Sequence, residues 1–456
     1  MNGSGYQVAM FGTFDVENFG DILFPIAAKW ALQKRLGSAD IHMFSYREKS
    51  TDEWPFPVLS ISDFPALAAD YDGVIVGGGH LVRFDKKVAP GYGPSVPWVH
   101  HPTGFWLSPG LVAMQHGVPV VWNAPGCLGN IPPWAEALVR TTLENCAYIS
   151  VRDQYSKQLL TAVSEKTPIL TVPDTIFGIT EVIDENIPSD EFEELRREWN
   201  INKPYVVIQA NTTGLDYFLG LLKSHPDQFS NYSLLVLPIG PALGDNANLA
   251  EFDLPGLIKL PFLANPLMTA ELICHAEGVV GSSMHLSITA LSFGVPVFSS
   301  ANLWEGKHAV LQEFEGIFPL PIEGAIYPPW MVSRLGKRAP GQSVIRAREQ
   351  VAAHWDAIAA VLGTRRDSTV VAMNQLWFGL PGILEQTSRE LELSEQKLIN
   401  EKLSSEQKLI NEELRRKLLA AEGEAMALRH SRSYRVMAPI RAAGRAIRGI
   451  GKENNR

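Results

Sequence analysis

Two successive series of short apolar runs, each separated from the next by a helix-like stretch, constrain this 456-residue chain more than any other feature. The first series reads as strands at YQVAMFG, DGVIVGGG, GVPVVWNAP, AYISVRD and ILTVPD. After a linker and a polar helix around SDEFEELRREWN, the pattern restarts at PYVVIQAN, YSLLVLPIG, GLIKLP, GVVGSS and GVPVFSS. Apolar runs joined by crossover helices are the signature of parallel sheets. The expected fold class is therefore α/β, with two Rossmann-like doubly wound domains over residues 1–182 and 183–340. Ligands of such folds lie outside the carboxyl ends of the strands, which places a site in the cleft between the two sheets.

The remaining chain reads as a C-terminal helical and coiled-coil extension. VIRAREQVAAHWDAIAAVLG predicts a helix that packs back on the domains, within a segment of packing helix and linker over 341–390. Residues 394–404, SEQKLINEKLS, are followed at once by SEQKLINEELR, an 11-residue repeat that keeps Leu398, Ile399 and Leu403 in register with Leu409, Ile410 and Leu414. Eleven residues span about three helical turns, so the stripe stays on one side of the helix. A coiled coil over 391–428 is expected, joining a second copy or another assembly partner; a single solvated helix is the alternative. The end, 429–456, is a basic tail in which Arg441, Arg445 and Arg448 share one helical face and Ile440, Ile447 and Ile450 another. It suits either an anionic membrane surface or a disordered tail.

Charge narrows the partners. A net charge of −9 argues against nucleic acid, whose phosphates select a strongly basic footprint. Cys127, Cys146 and Cys274 are odd in number and far apart, supporting neither a disulfide framework nor a zinc site, and fit a reducing cytoplasm. MNGSGYQVAMFG lacks the pattern of a signal peptide, and no run approaches the ~20 apolar residues of a spanning helix. The expected location is cytoplasmic, with peripheral attachment to the inner face of the plasma membrane left to the tail.

Four loop stations follow strands. In GTFDVENFGDILF, Gly20 permits a tight strand-to-helix turn, Asn18 or Asp21 can cap the helix, and free N–H groups there can face an anion. Gly77, Gly78 and Gly79 suit either close approach of a ligand or a turn beneath a packed helix. Neither station has the GxGxxG spacing of a dinucleotide site. Arg152 ends a strand in ISVRDQYS, with Asp153 able to cap the next helix. In GSSMHLSITALSFGVPVF, a cap at Ser282 or Ser283 puts His285 in the first helical turn, beside a site that favours anions; this is the setting of a general acid. A Pro/Gly-rich loop groups Trp98, His100, His101, Phe105 and Trp106, as either a sugar-stacking surface or a self-anchored loop.

Together, NFGD, VGGGHL, SVRD..S, VPDTIF, the Gly244–Asp245 pair and SSMHLSITALSFGVPV resemble the polysaccharide pyruvyl transferase family, over roughly residues 6 to 335. The resemblance implies a glycosyltransferase-B-like pair of domains. It implies transfer of a pyruvyl group from phosphoenolpyruvate onto two hydroxyls of a sugar as a cyclic ketal, in an exopolysaccharide, capsule or cell-wall repeat unit, free or lipid-linked. No metal and no cofactor beyond this donor is implied. Many members carry an arginine two residues before the histidine, where this chain has Ser283. That shifts the donor's carboxylate and phosphate to Arg152 and to Lys307 of EGKH, with His285 as the acid. Asn18, Gly20, Asp21, Gly77, Gly78, Gly79, Ser282 and Ser283 would complete the substrate pocket. Two rivals stand beside this reading: a nucleotide-sugar glycosyltransferase, which many relatives of that architecture mark with a glutamate where this chain has Thr289, and a non-catalytic scaffold in an assembly complex.

Overall fold

The structure, a computed structural model, describes residues 5–84, 102–165, 167–211, 215–245, 252, 254, 256–320 and 328–430. The chain divides into a unit ending at Leu380 and a second beginning at Pro381. The first holds, among the described residues, two large parallel sheets and a two-stranded parallel ladder of Val82–Arg83 with Cys127–Leu128. One contains β1 (Tyr6–Phe11), β2 (Ala39–Ser45), β3 (Val58–Ser60), β4 (Gly73–Val76), β5 (Val120–Trp122), β6 (Tyr148–Val151) and β7 (Leu170–Thr171), in the spatial order 3-2-1-4-5-6-7. The other contains β8 (Tyr205–Gln209), β9 (Ser233–Leu237), β10 (Leu257–Lys259), β11 (Gly278–Gly281), β12 (Val297–Ser299) and β13 (Ile317–Pro319), in the order 10-9-8-11-12-13. Both are Rossmann-like, and in each the order reverses beside its first strand, between β1 and β4 and between β8 and β11.

The central strands are apolar runs buried end to end, such as Val74, Ile75 and Val76, or Val206, Val207 and Ile208. Complete burial of each such side chain contributes about 1.5–3 kcal/mol. The strands that went unread in the sequence lie toward sheet edges. In β2, Asp40 is exposed and His42 half-buried, so polar residues interrupt its apolar pattern; β3 and β13 are three residues each.

Helix α1 (Phe19–Leu36) starts with seven consecutive buried residues, Phe19 to Pro25. Such all-round burial needs protein on every side, and one core cluster indeed joins Ile22, Leu23 and Phe24 to Met10 of the first sheet and to Leu286 and Ile288 of the second half. Backbone bonds join the halves as well: Phe19 N–H donates to Ile239 O (2.8 Å) and Ala242 N–H to Glu17 O (3.1 Å). The helix ends at Gly37, whose φ of +76° allows its N–H to close on Gln33 O.

Helix α4 (Gln342–Val361) packs back on this unit, carrying a buried polar anchor. His354 bonds Asn123 Oδ1 through Nε2 and the Tyr148 hydroxyl through Nδ1, each at 2.9 Å, and Asn123 reaches on to Thr175 Oγ1 at 3.4 Å. Burial, reinforced by the Arg35 charge, pushes the His354 pKa down to about 3. A histidine held neutral in the fold but titrating near 6.5 when unfolded stabilises fully above 6.5, and that contribution is lost as pH falls from 6.5 toward 3, at about 1.4 kcal/mol per pH unit. Between pH 7 and pH 5 the urea midpoint of the wild-type chain should therefore fall further than that of His354→Gln; parallel curves would exclude this role.

Helix α5 (Asp367–His430) is continuous where a linker was expected before the repeat, and it carries Pro381 within it. Leu398, Ile399, Leu403, Leu409, Ile410 and Leu414, the residues of the 11-residue register, are exposed. Among the described residues no helix is long and apolar enough to cross a membrane. The basic tail beyond His430, with Trp98, His100 and His101 of the expected aromatic loop, lies outside the described residues.

Candidate functional site

The two order reversals aim their loops at each other. A cavity of about 370 Å³ lies there, lined from the first half by Thr13, Asn18, Asp21, Gly79, His80 and Arg152 and from the second by Gln209, Asp245, His285, Lys307 and His308.

His285 occupies the second position of helix α3 (Met284–Ser292), which Ser283 caps by accepting a bond from Leu286 N–H at 3.4 Å. The ring's Nε2 is buried and stands 3.6 Å from Asp174 Oδ2, an ion-pair distance slightly longer than a hydrogen bond. Asp174 is itself fixed, since its other oxygen accepts from Ile176 N–H at 3.1 Å and caps the turn Thr175–Glu181. Burial pushes the Asp174 carboxyl up, but the His285 ring, the Ile176 N–H and Arg152 outweigh it, and its pKa lies below the ordinary aspartate value. The Phe24 ring meets the imidazole edge-on at 5.3 Å. With Nε2 turned to a carboxylate, the nitrogen left to serve the cavity is Nδ1.

Arg152 follows β6 directly and is 5% exposed. Its Nε lies 3.4 Å from Asp153 Oδ2, its Nη1 3.8 Å from Met284 Sδ, and its Nη2 contacts His80 Nε2. Asp153 also caps helix α2 (Gln154–Thr161), accepting from Ser156 N–H at 2.7 Å. Gly126 makes room for this pair, because a Cβ there would run into both His80 and Arg152.

Three neighbours register the same local field. Burial first, then the charges of Arg152, Lys307 and Arg83, lower the His80 pKa to about 2. Burial, followed by Lys307 and Arg152, lowers His308 to about 4. Lys307 is pushed down by burial and by Arg152, which Asp21 only partly offsets. Buried cations that depress one another's protonation mark a place where an anion is favoured. Among the described residues no group of three or more His, Cys, Asp or Glu side chains is arranged to hold a metal ion.

The glycines expected to touch substrate divide. Gly79 lines the cavity with φ +84°. Gly77 lies against Phe11 O, and Gly78 against the Phe24 ring; neither lines the cavity. Gly20 sits under the His285 imidazole, which a Cβ would displace. Asn18 precedes the helix without capping it by its side chain and donates instead to Asp21 Oδ2 at 3.0 Å. Three N–H groups at these two helix starts are engaged: that of Phe19 by Ile239 O, and those of Ser282 and Ser283 by Gln209 Oε1 at 2.9 and 2.8 Å. Gln209 in turn leans toward Asp245, whose Oδ2 accepts from Ile239 and Gly240 N–H, each at 2.9 Å. Phe105 lines the cavity and lies tilted against Tyr46, whereas Trp106 packs edge-on against Trp122 in the core.

Asp174, His80, His308, Gln209 and Asp245 received no role from sequence, although VPDTIF, VGGGHL, EGKH and the Gly244–Asp245 pair contain four of them. Their signal was adjacency to residues that were singled out. His80, Arg152 and Lys307 also border a wider cavity, about 830 Å³, that reaches Tyr155 and Phe314.

No curated protein matches the chain in sequence. Among solved structures, the UDP-GlcNAc 2-epimerase of Methanocaldococcus jannaschii is 12% identical, covering 78% of this chain and 99% of its own at a TM-score of 0.48. The UDP-GlcNAc 2-epimerase of Neisseria meningitidis, bound to UDP-GlcNAc, is 13% identical over 84% of this chain and 100% of its own, with a TM-score of 0.41. The wall teichoic acid polymerase TagF is 12% identical over 85% and 90%, also at 0.41. Nothing about substrate passes to this chain from likenesses so distant. A closer tie comes from residues 18–302, the span that supplies His80, Arg152, Asp174, Gln209 and His285: they match the family model of the polysaccharide pyruvyl transferases, and the chain belongs to that family.

Proposed function

We propose that the 370 Å³ cavity binds phosphoenolpyruvate and that the chain transfers its pyruvyl group to two hydroxyls of a glycan as a cyclic ketal. The observation that carries this reading is the convergence of His285, backed by Asp174, with Arg152 and Lys307 on one cavity. Arg152 and Lys307 hold the carboxylate and phosphate of the donor, as a planar guanidinium and a point charge respectively. His285 delivers a proton from Nδ1 to the methylene carbon, which makes C2 electrophilic toward an acceptor hydroxyl. Asp174 stabilises the imidazolium before transfer and fixes the ring afterwards. Phosphate leaves, and the second hydroxyl closes the ketal. The side chains supply proton transfer and charge stabilisation; no cofactor enters this scheme. The wider cavity beside Arg152 has room for a sugar.

Purified full-length chain should release phosphate from phosphoenolpyruvate only when an acceptor is present, with a matching mass gain on the sugar. A panel of para-nitrophenyl glycosides and lipid-linked oligosaccharides is the suitable acceptor set. Consumption of UDP-sugars without phosphoenolpyruvate turnover would favour the glycosyltransferase reading, and failure with both donors the scaffold.

A further inference from the structure

Ketal formation from phosphoenolpyruvate and a diol moves two protons, not one. Two hydroxyls lose hydrogen; one hydrogen is needed at C3, and the departing phosphate takes the other. A single imidazole that gives its proton to C3 leaves the first hydroxyl proton and the leaving phosphate without a carrier. Among the described cavity residues, two further imidazoles stand close enough to Lys307 to feel its charge, His80 and His308. His80 Nε2 is occupied by the Arg152 guanidinium. His308 is differently placed: it lines the same cavity as His285, and its buried Nε2 has no hydrogen-bond partner.

We propose that His308 is the second proton carrier of the transfer, taking the proton of the attacking hydroxyl and handing it to the departing phosphate. The assignment rests on the phosphoenolpyruvate reading of the cavity. In the first step an acceptor oxygen bonds to C2, its proton passes to the His308 ring, and the C2–C3 π pair takes a proton from His285. In the second, the C2–O bond to phosphate breaks, its electron pair leaves with phosphate, and His308 returns its proton to that oxygen. The second hydroxyl then bonds to C2 and gives its proton to His285. Both rings end as they began, and the products are the ketal and hydrogenphosphate.

The position supports both halves of the task. Lys307, next in sequence, places His308 beside the group that holds the leaving anion. A base must enter the reaction neutral, and burial with Lys307, Arg152 and His285 keeps this ring so, opposed only by a hydrogen bond with the Ser282 backbone. An arriving anion offsets part of that positive field, which strengthens the ring as a proton acceptor when the substrate is present.

The test compares wild-type full-length chain with His308→Gln and His308→Gly, using phosphoenolpyruvate and the para-nitrophenyl glycoside panel. In His308→Gln, kcat should fall by about 10²–10⁴-fold. KM for phosphoenolpyruvate should stay within about threefold, because donor binding is left to Arg152 and Lys307. The acid limb of the wild-type kcat profile, where His308 becomes protonated before it can act, should vanish. Added imidazole should restore His308→Gly at least roughly tenfold, a rescue that a merely structural ring would not show. A wild-type rate in His308→Gln overturns the assignment while leaving the donor reading intact, as does a slow variant with an unchanged pH profile and no rescue. A wild-type chain that never releases phosphate overturns the donor reading and the assignment together.

Discussion

Changing His285 to Gln is expected to lower phosphate release by about 10²–10⁴-fold while the protein stays folded. The side chain is 14% exposed and lies in the first turn of a capped helix, a position where a neutral polar side chain of similar reach is tolerated. Glutamine keeps a donor toward Asp174 but has no transferable proton. Binding of phosphoenolpyruvate to Arg152 and Lys307 should persist, so calorimetric affinity and the thermal unfolding curve remain near wild type while turnover collapses. Near-normal turnover in the purified variant would remove His285 from the mechanism.

Asp174→Asn should be nearly as damaging, for a reason visible only in the fold. Asp174 Oδ1 caps the turn through Ile176 N–H, and Oδ2 faces His285 Nε2. An asparagine that preserves the cap must turn its amide nitrogen toward the imidazole, setting a donor against a donor. Nε2 then becomes an acceptor, the proton shifts to Nδ1, and the charged ring loses its counter-ion. The imidazolium that must donate is disfavoured, because Nε2–H loses its acceptor and the ring its counter-ion, and a loss of about 10²–10⁴-fold in kcat is expected. Retention of the cap predicts little change in stability. If Asp174→Asn turns over within threefold of wild type, the carboxylate does not orient the ring.

These variants separate what is local from what is distant in sequence. Arg152 was legible because a strand pattern ends at Val151, and the caps at Asp153 and Ser283 were legible because capping is a matter of neighbours. The ten strands read from apolar runs all have counterparts, whereas β3 and β13 escaped because three-residue edge strands leave too short a run, and β2 because Asp40 and His42 interrupt its apolar pattern. Gly20 was singled out for a tight strand-to-helix turn, but it lies within helix α1 and is not among the glycines with positive φ. What excludes a side chain there is the imidazole of His285, 265 residues away.

By itself the amino-acid order determined the layers: periodicity of apolar residues sets strand against helix, and glycine, serine and aspartate at the junctions set where helices begin. That information is local, carried by backbone geometry over a few residues. Only the tertiary structure decided which junctions meet. Strand order reverses once in each sheet, so the loops after β1 and β4 face those after β8 and β11. That encounter gives His285 its carboxylate, surrounds His80 and His308 with cations, and assigns the helix-end N–H groups of Ser282 and Ser283 to Gln209. Electrostatic coupling and hydrogen bonding act over a few ångströms of space whatever the separation along the chain, which is why the site's chemistry had to wait for the fold.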